Sequence, residues 1–127
     1  MAVRPAGPIK VPTYIWRPES QNDVVGVKIS FGTDAGVFPH GLNAKQFAYM
    51  VKYGQTPMQA IQSATVVSSE LLGWNKKIGS IEKGKYADII AVKTNPLDDI
   101  KILENVSFVM KGGTVYKNKL SARPAGY

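Results

Sequence analysis

Residues 24–31 read Val-Val-Gly-Val-Lys-Ile-Ser-Phe, and no other run constrains the fold of this chain as strongly. The run is rich in Val and Ile, carries one charge, Lys28, and is punctuated by Gly32-Thr33-Asp34. β-Branched residues bounded by turn residues predict a strand. Near-continuous apolar character, without polar alternation, suits a strand covered on both faces, as in a parallel sheet. Such a strand needs neighbours, because an open edge and an uncovered apolar face both invite association.

Helical signals follow. Gly41-Leu42-Asn43 opens a helix with Asn43 as the expected N-cap and Gly54 as its stop, with Phe47, Met50 and Val51 on one stripe. Thr56-Pro57-Met58-Gln59 is a stronger start, with a capping threonine, proline at the first helical position and glutamine completing a capping box. Met58, Ile61 and Ala64 or Thr65 are expected on its buried face. A second short helix, Ser68 to Leu72, is expected to end at Gly73.

After Trp74 the texture turns to β. A strand is expected over Ala87 to Lys93, then a turn at Asn95-Pro96, then a hairpin of two alternating strands around Gly112-Gly113. Upstream, Pro5, Pro8, Pro12 and Pro18 forbid a helix and leave Ile-Lys-Val-Pro-Thr-Tyr-Ile-Trp at most an edge strand. The class is therefore α/β or α+β. The expected divisions are an unplaced proline-rich segment 1–23, a strand-and-helix unit 24–75, a β unit 76–118 and a tail 119–127.

Composition narrows the function classes. A chain of 127 residues fits one domain, and 44% apolar with 20% charged residues is ordinary globular material. The net charge of +7 is spread along the chain, the longest basic run being Lys76-Lys77, and no basic-aromatic module of the nucleic-acid kind is present. A solvated basic surface is the better reading. No cysteine offers a disulfide or a thiol nucleophile. No run approaches the ~20 apolar residues of a membrane span, and the N-terminal residues lack the apolar core of a signal peptide. A soluble cytoplasmic protein is expected.

The chemistry concentrates in Phe-Gly-Thr-Asp-Ala-Gly-Val-Phe-Pro-His-Gly, residues 31–41, which holds Asp34 and the only histidine, His40. A carboxylate just past the end of a buried strand is where α/β enzymes place working groups. Asp34 could ligate a divalent metal and take a proton from water, and His40 could ligate or orient a substrate. A capped polar turn with a solvated histidine fits the same residues. A catalytic zinc wants about three protein ligands, and one histidine without cysteine leaves carboxylates to supply the others. Ser80-Ile81-Glu82-Lys83 matches the bare Ser-x-x-Lys of some serine hydrolases but sits in a glycine-bounded turn instead of opening a helix.

Four blocks together are far more specific: FGTDAGVFPHGLNAKQF, TPMQAIQSATVVSSELLGW, KIGSIEKGKYADIIAVKTNPLDDI and VSFVMKGGTVYKN. In this order, over residues 24–118, they resemble the C-terminal end of amidohydrolase-superfamily enzymes, nearest the metal-dependent Xaa-Pro dipeptidase and imidazolonepropionase-like branch. The resemblance implies the last strand–helix unit of a (β/α)8 barrel plus strands of a small β-sandwich. It makes Asp34 similar to the aspartate that ligates the metal, zinc or manganese, and acts as general base. His40 resembles a residue lining the substrate pocket, and Asp88, in the Gly-Lys-x-Ala-Asp block, a structural residue. The family's His-x-His, its metal-bridging lysine or carboxylate and its two later histidines have no counterpart in these 127 residues. One barrel strand of eight cannot close a barrel.

Three readings follow. The chain is an incomplete portion of an amide- or peptide-hydrolysing amidohydrolase, acting on a small molecule or dipeptide. Or it is a stand-alone esterase or peptidase with a site formed between subunits. Or it is a non-catalytic, self-assembling structural domain that holds no metal. All three imply a homo-oligomer.

Overall fold

The computed structural model describes residues 28–36 and 39–120. In chain order these form α1 (Lys45–Lys52), α2 (Pro57–Ala64), α3 (Val66–Leu71), β1 (Ile89–Ala91), a 3-10 turn (Ile100–Asn105), β2 (Phe108–Lys111) and β3 (Thr114–Asn118). The class is thus mixed helix and sheet, as expected. The possible edge strand upstream and the end of the tail lie outside the described residues.

Helix α2 begins as its sequence prescribes. Gln59 N–H donates to Thr56 Oγ1 at 3.2 Å and Thr56 N–H to Gln59 Oε1 at 2.8 Å, a reciprocal capping box with Pro57 behind it. Thr56→Ala is expected to cost about 1 kcal/mol, read as a shifted denaturant midpoint; no shift would mean that the box contributes nothing.

Helix α1 corrects its expectation. Its N-cap is Ala44, without a side-chain bond, and not Asn43. Lys45, Gln46 and Phe47 donate their N–H groups to the carbonyls of Leu42, Asn43 and Ala44, so a tight i→i+3 turn has already satisfied the donors that an asparagine cap would serve. Asn43 Oδ1 is left buried without a partner. Gly54, at φ +108°, does end the helix, its N–H on the Val51 carbonyl.

The buried face of α2 is also displaced from its expected position. Ala60 and Ser63 are buried, whereas Met58 is exposed and Ile61 and Ala64 are half-buried. Small residues suit that side because α1 packs there: the Ser63 hydroxyl, which also donates to the Ala60 carbonyl of its own helix at 2.7 Å, reaches Met50 Sδ of α1 at 3.7 Å. The chain breaks at Thr65, and α3 starts at Val66, two residues before its expected beginning.

The sheet is three-stranded and antiparallel, in the order β1-β2-β3. Gly112 and Gly113, at φ +56° and +82°, supply the turn between β2 and β3, because two-residue hairpin turns that match strand twist need positive φ. The 3-10 turn between β1 and β2 buries Ile100 and Leu103 and packs against α1. With Ala60, these two are the buried apolar residues among those described.

The run 24–31 behaves differently from its expectation. Residues 28–31, its described part, form no strand. Instead Phe31 N–H donates to the Ser63 carbonyl at 3.0 Å, Ser30 Oγ lies 2.8 Å from Ser68 Oγ, and Lys28 pairs with Glu70. No ladder partner stands beside it among the described residues, so its backbone bonds to the break between α2 and α3.

Candidate functional site

Asp34 follows this pinned segment directly. It is the one described non-glycine residue with a positive φ, at +48°, a left-handed conformation that aspartate tolerates better than most residues. Its side chain is exposed, and no hydrogen bond or ion pair among the described residues engages its carboxylate. His40 is exposed in the turn before Gly41, which has φ +99°. The two are not bonded to each other among the described residues.

Two clefts border the segment that leads to Asp34. One, of about 460 Å³, is lined mainly by Ile29, Ser30, Gly32, Tyr49, Met50 and Gln55. The other, of about 230 Å³, is lined by Thr33, Leu42, Asn43 and Lys45. They meet at Gln46 and Tyr49 of α1, and neither is lined by Asp34 or His40. No group of three His, Cys, Asp or Glu residues that could hold a metal occurs among the described residues. Asp34 can therefore furnish one ligand, but the described residues alone do not fit a resident metal ion.

The geometry agrees with reading Ser80 to Lys83 as part of a glycine-bounded turn. The lysine that reaches Ser80 is Lys85, with Nζ 2.5 Å from Oγ, and not Lys83. Ser80 donates in turn to Glu82 Oε1 at 2.5 Å, and Lys85 Nζ also stands 3.4 Å from that carboxylate. The hydrogen bond from Ser80, and then the charge and hydrogen bond of Lys85, hold Glu82 below its ordinary value of 4.5. A carboxylate so stabilised is a weak base, so the cluster fastens a turn and does not arm a nucleophile.

Its pH dependence follows from the sign of that shift. A lowered folded pKa adds stability above the unfolded value that is lost as pH falls through the folded one. The Ser80–Lys85 turn is expected to loosen only below the ordinary Glu82 value of 4.5. A carbon-13 titration of Glu82 checks this, and a midpoint at or above that value would rule it out. Because Glu82 is exposed, the effect on global stability is small.

Asp88 has the structural role that its block implied. Its Oδ1 accepts from Gly112 N–H at 2.7 Å, its Oδ2 lies 3.9 Å from Lys111 Nζ, and Gly113 N–H donates to the Ala87 carbonyl at 3.2 Å. The Ala-Asp pair thus holds the hairpin turn against the approach to β1. Sequence reasoning missed the serines at the break between α2 and α3. Their only signal was the density of small polar residues in Ser63-Ala64-Thr65-Val66-Val67-Ser68-Ser69, unusual inside helices.

Residues 19–117 match the Amidohydrolase family. The chain belongs to the amidohydrolase family. Among curated relatives, the ochratoxinase of Aspergillus niger is 37% identical over 97 residues, covering 72% of this chain and 20% of that protein. Among solved structures, a Xaa-Pro dipeptidase with methionine bound in its active site is 58% identical, with TM-score 0.71 over 73% of this chain and 23% of its own. A putative prolidase from Bifidobacterium longum is 34% identical, with TM-score 0.70 over 77% of this chain and 25% of its own. The chain thus spans about a fifth of the ochratoxinase's length. Family members are generally metal-dependent hydrolases.

Proposed function

We infer that this chain is the C-terminal portion of a hydrolase that cleaves amide or peptide C–N bonds, with Xaa-Pro dipeptides as the first substrate class. The observation that carries the reading is Asp34, an exposed carboxylate on left-handed backbone at the end of a pinned segment. The substrate class is supported by 58% identity to a Xaa-Pro dipeptidase over three-quarters of the chain.

In this reading Asp34 accepts the proton of the water whose oxygen bonds to the scissile carbonyl carbon. As the C–N bond breaks, that proton passes to the departing nitrogen. His40 contacts the substrate. Asp34 would also furnish one ligand to a zinc or manganese ion, with the remaining ligands supplied from outside the described residues. Lack of cysteine suits a cytoplasmic setting. No described helix is long and apolar enough to cross a membrane.

A chimera tests this directly. Residues 24–118 replace the matching segment of the Xaa-Pro dipeptidase, and proline release from a dipeptide is measured with zinc or manganese supplied. A folded but inactive chimera would sink the reading.

A second reading, a self-assembling domain without catalysis, draws on the exposure of Leu71 (74%), Ile81 (81%) and Tyr116 (71%). Under either reading the isolated chain is a homo-oligomer, because the apolar run 24–31 and these exposed apolar side chains need neighbours to cover them. Multi-angle light scattering checks it, and a monodisperse monomer would contradict it.

A further inference from the structure

The break between α2 and α3 has a consequence for Asp34. In an unbroken helix the Ser63 carbonyl would accept from Val67 N–H. Here Thr65 takes φ −120° and ψ −94°, and Ser63 is released from that bond. Its carbonyl accepts instead from Phe31 N–H at 3.0 Å and from Ser68 Oγ at 2.6 Å. Because Ser68 gives its only proton to Ser63, the 2.8 Å contact with Ser30 must run from the Ser30 hydroxyl to Ser68 Oγ. A directed chain results, from Ser30 through Ser68 to the Ser63 carbonyl, with Phe31 bonded to the same acceptor. The Phe31–Ser63 bond is the one backbone bond of residues 28–34 to another element among the described residues.

We propose that Ser68 is a positioning residue for Asp34: its hydroxyl joins Ser30 to the Ser63 carbonyl, and this anchor fixes the backbone from which the Asp34 carboxylate projects. Two features make it an anchor and not incidental packing. The acceptor exists only because the helix is broken, and Phe31 engages it directly through its backbone while Ser30 engages it through Ser68, three and four positions before Asp34. Gly32 and Thr33 then carry that constraint into the left-handed backbone at Asp34. The proposal rests on the reading of Asp34 as the working carboxylate, but its test does not.

The test is amide hydrogen exchange and carbon-13 shifts by NMR on the full chain, for wild type, Ser68→Ala, Ser30→Ala and Ser68→Thr. Losing one such link is expected to speed exchange at Phe31 roughly three- to tenfold in both alanine variants. Exchange within α2, at Gln62 and Ala64, should stay as in wild type. The Cα and Cβ shifts of Asp34 should move away from their left-handed values, and Ser68→Thr, which keeps the hydroxyl, should restore both readouts. Ser30→Ala leaves α3 untouched, so it decides the matter even if Ser68→Ala unfolds. Wild-type exchange at Phe31 in Ser30→Ala would overturn the proposal, as would faster exchange with unmoved Asp34 shifts. Proline release by the chimera and its Asp34 variant judges the catalytic reading separately.

Discussion

Gly79→Ala is expected to destabilise the chain by roughly 2–4 kcal/mol. Two independent costs combine there. The backbone has φ +95°, which an L side chain rarely adopts, and a Cβ at this position would lie 2.4 Å from Ser69 Oγ and 2.7 Å from Ser69 Cβ. Ser69 cannot easily yield, since it is buried and its hydroxyl donates to the Val66 carbonyl at 2.8 Å. The Thr65 carbonyl, 3.2 Å from the same point, blocks the other side. Gly84 provides the control: its φ is +92°, but an added Cβ there meets nothing within 4 Å. Gly84→Ala should therefore cost only the backbone share, about 1 kcal/mol. Chemical denaturation of both variants separates the terms, and equal losses would show that the contact with Ser69 carries no weight.

Asp34→Asn is expected to lower turnover by the chimera about 10²- to 10⁴-fold, the usual contribution of a positioned general base. Asparagine keeps the size of the side chain and tolerates left-handed backbone equally well, so the melting temperature should not move. Bound zinc or manganese, measured by elemental analysis, should fall in the same variant. His40→Ala should act mainly on KM, as befits a substrate contact. Turnover within a few-fold of the parent in Asp34→Asn would remove Asp34 from the mechanism and favour the structural reading of the chain.

Legibility in the sequence tracked the range of the interactions. The capping box of α2, the glycine stops after α1 and α3 and the hairpin at Gly112-Gly113 were readable because each is settled within a few residues. Ser80 shows where local pattern misleads: the Lys83 spacing matched a motif, but the turn brought Lys85 and Glu82 to the hydroxyl. A structural role for Asp88 came from family resemblance and not from spacing, and its contact with Gly112, 24 positions away, came only with the structure. The region around Asp34 was legible as chemistry, one carboxylate and one histidine in a glycine-bounded stretch, and illegible as geometry.

By itself, the sequence determined the family, the order of helices and strands from α1 to β3, the cap of α2 and the glycine stops after α1 and α3, because caps and turns act over short range. Only the tertiary structure decided that residues 28–31 bond to a helix break and not to a strand, that Ala60 and Ser63 are the buried face of α2, and that Asp34 takes left-handed backbone. These outcomes depend on which distant carbonyl is free and how closely two elements approach. Neither quantity is carried by any single stretch of residues.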